Sequence, residues 1–491
     1  MVAALNACIE ASDLLFGLIL HIEAIARRLL YVDIVHNTLL NMYLKCRSLR
    51  HAINLFDGLL ERDLVTWNTM ISGYSAFGFP ESALHLFGRM LLENMQPDQA
   101  TFLAILKVSL VTGSMTEGKL IHGVITEFGT ETFLNVGSSL VDMYAEWGNL
   151  EDAYNIFFHL PERNIVTWTA MAAGCNQHGR GEETIQMFQQ MQQEGIQPDR
   201  ILFISVLQAC SAVLGLNQGK VIHTNILDQG LELDNMVGSA IVEMYLKCGS
   251  FQFAQRIFAE MPRKSLVVWN IMIAGCAQHG VHSMVMDFFD DMLAENLSPD
   301  AATFVSLLSA CSHTGNLEVG CWHFESMVTK YGIFPTLDHY MCMVDLLGRA
   351  GSMNDALDLL HTMPFTPCQV GWRSLLTHCR TWGEVSFARS CFDNLLLLDP
   401  DEPTCYALMS EVYANAGMWD KSLEIEEMRK AAALWKLPGE ALIEVGEKVY
   451  SFTVGDKHES YYELSRKLKA LGDRLRNIDH VPFAVERECS I

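Results

Sequence analysis

Residues 267–280 read VVWNIMIAGCAQHG, and their counterparts at 65–78 and 166–179 read VTWNTMISGYSAFG and VTWTAMAAGCNQHG. Trp67, Trp168 and Trp269 stand 101 residues apart, as do Pro97-Asp98, Pro198-Asp199 and Pro299-Asp300. His21, His122 and His223 keep the same step, and so do Tyr43, Tyr144 and Tyr245. A catalytic pocket does not recur along a chain at a fixed long period, so these residues belong to an architecture of stacked units. What varies inside the constant frame is the residue after each Trp: Asn68, Thr169 and Asn270.

The period divides into pieces of about 35, 35 and 31 residues, each the size of one helical hairpin. In 64–98, Trp67, Met70, Ile71 and Tyr74 fall at the 0, 3, 4, 7 spacing of one helix face. Gly78 and Pro80 interrupt the pattern, Ala83, Phe87 and Met90 form a second stripe, and Pro97 is expected to end it. A hairpin this small cannot bury its apolar faces alone, but stacked hairpins share a continuous core and leave a concave groove. The predicted fold is all-α, an α-solenoid of stacked helix-turn-helix repeats, with the aromatic and aliphatic stripes as core.

The chain of 491 residues is 50% hydrophobic, yet no apolar run approaches the roughly 20 residues of a membrane span. Its 14 cysteines include no C-x-x-C. Cys175 and Cys276, and Cys210 and Cys311, are one period apart, which predicts packed free thiols in a reducing compartment. Cys175/His178 and Cys276/His279 have only Ser75 and Gly78 as counterparts in the first block; two ligands per repeat cannot complete a tetrahedral zinc site. No metal or cofactor and no small-molecule substrate is expected. The net charge of −24 weighs against phosphate binding unless the acidic groups lie on the outer face. The opening MVAALNACIEASDLL carries neither a basic presequence nor a secretory signal. Its "LNAC" echoes "LQAC" at 207–210 and "LSAC" at 308–311, so the chain is expected to start part-way through a repeat.

These motifs resemble the pentatricopeptide repeats of plant organelles, in the class that alternates P, long L and short S motifs. "VTWNTMI…PD" is similar to P motifs, "GSSLVDMYAEWGNLEDA" (137–153) and "GSAIVEMYLKCGS" (238–250) to S motifs, and "GKLIHG" (118–123) and "GKVIHT" (219–224) to L motifs. The resemblance divides the chain into a partial L repeat (1–32), an S, P and L array (33–367) and E-type tetratricopeptide-like motifs (368–435). A Pro-Gly box with an E-plus-like segment (436–460) and a helical tail (461–491) follow. Leu442 stands where the family usually has Trp. The resemblance implies a right-handed superhelix, with a small β-hairpin-like element near 440–454.

It also implies single-stranded RNA binding at about one base per repeat. The residue after the first helix's aromatic and the residue closing the repeat carry specificity. The pairs are Asn37/Asp63, Asn68/Asp98, Ser138/Asn164, Thr169/Asp199, Ser239/Ser265 and Asn270/Asp300. An Asn amide both donates and accepts and suits a pyrimidine edge, with Asp to orient it; a shorter Ser or Thr hydroxyl leaves room for a purine. Val65, Val166 and Val267 match positions that sandwich bases, while Leu103, Ile204 and Val305 occupy the L slots and are too apolar to read by hydrogen bonding. The implied string, 5′ to 3′ from residue 33, is U, U, unread, A, G, unread, unread, U, unread, unread. Taken without the resemblance, the same Asp and Asn residues are ordinary helix caps.

Members of this class act mostly in cytidine-to-uridine editing, and many end in a DYW deaminase domain. Such a zinc deaminase needs H-x-E with a later P-C-x-x-C. His21-Ile22-Glu23 and His323-Phe324-Glu325 fit the first half formally, but both lie in repeat helices with no C-x-x-C to complete them. The expectation is a non-enzymatic specificity factor in mitochondrion or chloroplast that recruits a DYW-type deaminase in trans, with organellar accessory factors, away from membranes. An RNA stability, splicing or translation factor and a protein-interaction scaffold remain the alternatives. Leu464, Leu468, Leu471 and Leu475 could pack the closing segment on the last repeat or dock a partner helix.

Overall fold

The computed structural model describes residues 1–231, 234–432, 440–445 and 448–453, the last two spans as backbone. The chain forms two units, 1–275 and 276–491. Among the described residues there are 26 α-helices, one short 3-10 turn at Leu29–Tyr31, and two strands, Glu440–Val445 and Lys448–Thr453. The strands pair antiparallel, Glu440 with Thr453 and Val445 with Lys448, where the β-hairpin-like element is expected. The rest of the Pro-Gly segment and the tail 461–491 lie outside the described residues. No helix among them is long and apolar enough to cross a membrane.

The hairpin anticipated in 64–98 consists of helices Leu64–Ala76 and Pro80–Leu92. Gly78, at φ 78°, makes the left-handed turn between them. The second helix stops earlier than Pro97 predicts. It ends at Leu92, and Asn94 takes a left-handed φ of 56°, as Gly195 and Asn296 do one and two periods on. The short S motif is short because its second helix has ten residues, in Leu49–Gly58, Leu150–His159, Phe251–Glu260 and Met353–Thr362, against thirteen in P and L second helices such as Pro80–Leu92 and Met115–Glu127.

In the first unit, the periodic tryptophans are core. Trp67, Trp168 and Trp269 are at most 3% exposed. Each meets a Phe from the preceding S repeat edge to face: Phe56 at 5.0 Å, Phe157 at 4.7 Å and Phe258 at 4.7 Å. A cation covers each of these phenyl rings, Arg62 at 4.9 Å, Arg163 at 5.4 Å and Lys264 at 5.3 Å. The periodic His and Tyr prove to be partners across the L–S junction. His21, His122 and His223 meet the hydroxyls of Tyr43, Tyr144 and Tyr245 through Nδ1, at 2.6, 3.0 and 3.0 Å. Burial lowers the pKa of His21 and of His122.

Close helix approach at the S–P junction needs glycine. A Cβ on Gly174 would lie 2.3 Å from the Ala145 Cβ, while the equivalent Gly73 and Gly275 meet only the side-chain ends of Leu44 and Leu246, which can shift. The packed thiols are found as expected: Cys175, Cys210, Cys276 and Cys311 are fully buried, and burial pushes Cys276 up to about 12 and Cys311 to about 11. In the second unit, helices from His282–Ala294 to Trp419–Ala431 continue as hairpins, with a core running from Val344 through Trp372 to Ile425.

Candidate nucleic-acid interface

The predicted reading positions sit at the junction of successive first helices. Asn37 lies on helix Asp33–Lys45, on the surface beside the core stripe of Leu39, Leu40 and Tyr43. Asp63 is the N-cap of the next first helix, Leu64–Ala76. Its Oδ1 accepts from the Thr66 backbone N–H at 2.7 Å, and its Oδ2 accepts from Asn37 Nδ2 at 2.9 Å. Thr66 Oγ1 donates at 2.7 Å to Asn37 Oδ1 and also lies 2.5 Å from Asp63 Oδ1. The carboxylate can only accept and the hydroxyl donates to the amide oxygen, so the Asn amide has one orientation. One Asn N–H is left without a bond in this arrangement. Burial raises the Asp63 carboxyl, but the hydrogen bonds from Thr66 and Asn37 outweigh it, and the pKa falls below its usual value.

Asn68 and Asp98 repeat the arrangement. Asn68 Nδ2 donates to Asp98 Oδ1 at 3.0 Å, and Thr101 Oγ1 donates to Asn68 Oδ1 at 2.7 Å. Here Asp98 and Thr101 form a full capping box, because the Asp98 N–H also reaches Thr101 Oγ1 at 3.1 Å. Asp98 is likewise held below its usual pKa by these bonds, against the upward push of burial.

The hydroxyl pairs are built differently. Ser138 and Asn164 share no hydrogen bond; Thr167 Oγ1 joins them, 2.7 Å from Ser138 Oγ and 3.0 Å from Asn164 Oδ1. Thr169 and Asp199 share no hydrogen bond. Asp199 caps its helix through the Leu202 N–H at 2.8 Å, while Thr169 Oγ1 is buried with no partner. Both line one open cavity of about 450 Å³ with Ser138, Asp142, Asn164 and Val166. Ser239 turns its hydroxyl back to the Asn235 carbonyl at 2.7 Å, and the Ser265 hydroxyl accepts from the Val268 N–H at 3.5 Å, so no bond joins the two side chains. Asn270 belongs to the first unit and Asp300 to the second, where Asp300 and Thr303 form a capping box.

Val65, Val166 and Val267 are 56, 59 and 61% exposed. An apolar side chain left that open at one fixed repeat position is available to stack a flat ligand. Leu103, Ile204 and Val305 in the L slots are half-buried and offer no polar atom.

The geometry makes the cap reading and the pair reading two halves of one device, since Asp63 and Asp98 cap a helix and orient an amide at once. What the sequence reading missed is the third member, the hydroxyl three residues after the cap: Thr66, Thr101, Thr167 and Thr303. The signal was there as DLVT, DQAT, NIVT and DAAT, and its failure at DRIL (199–202), where Leu202 replaces Thr, leaves Thr169 unserved.

Comparison with known proteins bears on this arrangement. The PPR repeat matches residues 34–64, 138–165, 166–196, 302–331 and 338–364, the PPR repeat family 62–108 and 264–313, and the E motif 382–444. A mitochondrial pentatricopeptide repeat-containing protein of Arabidopsis thaliana is 36% identical over 449 residues, 91% of this chain and 70% of the relative. The chloroplastic pentatricopeptide repeat-containing protein CRR2 of the same plant is 35% identical over 451 residues, 90% of this chain and 69% of CRR2. Against another Arabidopsis thaliana pentatricopeptide repeat-containing protein, 36% identical over 98% of this chain, the chain spans 59% of the relative's length. The crystal structure of the pentatricopeptide repeat protein PPR10 with an 18-nt psaJ RNA element superposes with a TM-score of 0.67 at 18% identity, covering 84% of this chain and 62% of PPR10.

Proposed function

The chain belongs to the pentatricopeptide repeat family, and from that premise we propose that it binds single-stranded RNA in a plant organelle, sequence-specifically, at about one base per repeat. The reading groups are the six pairs from Asn37/Asp63 to Asn270/Asp300, with Val65, Val166 and Val267 sandwiching the bases. The observation that carries this is the oriented amide: Asn68 is fixed from both ends, by Asp98 at 3.0 Å and Thr101 at 2.7 Å, with edge groups left to face a ligand. A surface amide clamped this way in two successive repeats is costly in side-chain freedom and serves recognition better than it serves a fold. PPR10, whose fold this chain shares, is held with RNA in its own crystal structure.

The finer role is that of a specificity factor for cytidine-to-uridine editing, with the E motif at 382–444 as the surface that brings a DYW-type deaminase and accessory factors in trans. A protein-interaction scaffold is the second reading, favoured by the net charge of −24. A titration at fixed salt separates them. An RNA carrying U, U, unread, A, G, unread, unread, U should bind more tightly than a scrambled RNA of equal length. Thr169→Asn should move the preference at the fifth position from G toward U. Equal affinity for both RNAs would sink the base-reading function and leave the scaffold.

A further inference from the structure

The cavity of about 450 Å³ at Thr169 and Asp199 contains a carboxylate that the six pairs do not use, Asp142. It belongs to the preceding S repeat, on helix Leu134–Glu146, one turn beyond Ser138. The corresponding positions one period away are Asn41 and Glu243. Glu243 is paired with Lys247 one turn on, at 2.7 Å, and the first block has Lys45 there. At Asp142 that neighbour is Glu146, a like charge. Burial, and then Glu146, push the Asp142 carboxyl above its usual pKa. No hydrogen-bond donor or cation among the described residues compensates it. The chain thus holds an uncompensated acceptor in the same cavity as a donor without a partner, Thr169 Oγ1.

What enters there must bring donors, because a phosphate would meet a carboxylate of its own sign. Among nucleobase Watson–Crick edges, guanine alone presents two adjacent donors, N1–H and N2–H, beside an acceptor, O6. Adenine and cytosine each present one amino donor next to a ring acceptor, and uracil one donor between two acceptors. We infer that Asp142 is a further specificity-determining residue for the base read by Thr169 and Asp199, its carboxylate accepting from N1–H and N2–H of guanine while the Thr169 hydroxyl donates to O6. This rests on the base-reading function proposed above and adds a residue from the neighbouring repeat to it. The specificity at this position is then set by three side chains, and by the absence of a lysine at 146.

The test is a binding titration at one moderate salt concentration, with RNAs that carry guanine, adenine or inosine opposite Thr169/Asp199. Inosine keeps N1–H and O6 and lacks only the N2 amino group. The wild-type chain should prefer guanine over adenine by roughly tenfold or more and over inosine by severalfold, as a charge-assisted hydrogen bond requires. Asp142→Asn should abolish the guanine–inosine difference and most of the guanine–adenine preference, leaving the melting temperature unchanged or raised. Equal wild-type affinity for guanine and inosine overturns the role of Asp142 without needing any variant. Asp142→Asn that keeps both preferences overturns it too, while the Thr169/Asp199 reading stands. A wild-type chain that does not separate guanine from adenine overturns both.

Discussion

Asn68 and Asp98, thirty residues apart, are joined by a 3.0 Å hydrogen bond from the amide nitrogen to the carboxylate oxygen that also caps the helix Gln99–Thr112. One oxygen therefore serves folding and orientation together, and a substitution should reveal both. Asp98→Ala removes the cap and releases the amide. The expected loss is about 1 kcal/mol of stability, together with lost discrimination at the second base of the string. Urea unfolding and a binding titration with U against A at that base measure the two effects separately.

Thr101→Val keeps the shape and removes the hydroxyl that bonds Asn68 Oδ1 and closes the capping box. Stability should fall by about 2 kcal/mol, since two hydrogen bonds are lost, the one to Asn68 Oδ1 and the one from the Asp98 N–H, while the bond from the Thr101 N–H to Asp98 stays. Selectivity at the second base should drop while binding to mixed sequence persists. The converse substitution, Leu202→Thr, should tie Asp199 to Thr169 as Thr101 ties Asp98 to Asn68. It should weaken binding of a guanine-containing site, because the Thr169 hydroxyl is then engaged.

Trp168 is 1% exposed and stands 4.7 Å from Phe157, but its indole nitrogen has no partner. Trp168→Ala should cost about 3–5 kcal/mol and Trp168→Phe much less, because only packing is at stake. Stability in a repeat stack is a sum of local terms, so the damage should appear as an early step in a thermal melt.

Gly174→Ala places a methyl 2.3 Å from the Ala145 Cβ. Neither partner is a flexible side-chain end, so the helices must separate, at about 1–3 kcal/mol. Calorimetry should record the loss, and the double variant Gly174→Ala, Ala145→Gly should recover part of it.

The half-buried histidines His21 and His122 have lowered pKa values, caused first by desolvation. An unfolded histidine takes up its proton near pH 6.5 and these do so lower, so between those two pH values the unfolded state binds more protons. Stability is full above about pH 6.5 and falls as the pH drops below it. His122→Gln should flatten part of the fall in melting temperature measured from pH 7 to pH 5.

Much of this was legible in the chain itself. A step of 101 residues in Trp, His, Tyr and Pro-Asp specifies stacked helical hairpins, because only a repeated local environment asks for the same large residues at the same places. The six proposed pairs were placed by the family resemblance, and only their Asp and Asn members at the repeat ends were legible on their own, as caps. Tyr43, Tyr144 and Tyr245 were legible as constant but not as hydrogen-bonded to His21, His122 and His223, since the bond joins residues 22 apart on different hairpins. The stop at Asn94 was obscured by the louder Pro97.

The sequence by itself determined the hairpin, the period and the buried faces, all of which follow from the spacing of residues along the chain. The tertiary structure alone decided which polar atoms are satisfied. Asn37 and Asn68 are clamped, Ser138 is bridged, and Thr169 is left open, although all four occupy one position in their repeats. The reason is physical. A hydrogen bond is made or lost within half an ångström, and its partner here comes from the next repeat, some thirty residues on. Local periodicity carries no record of that distance.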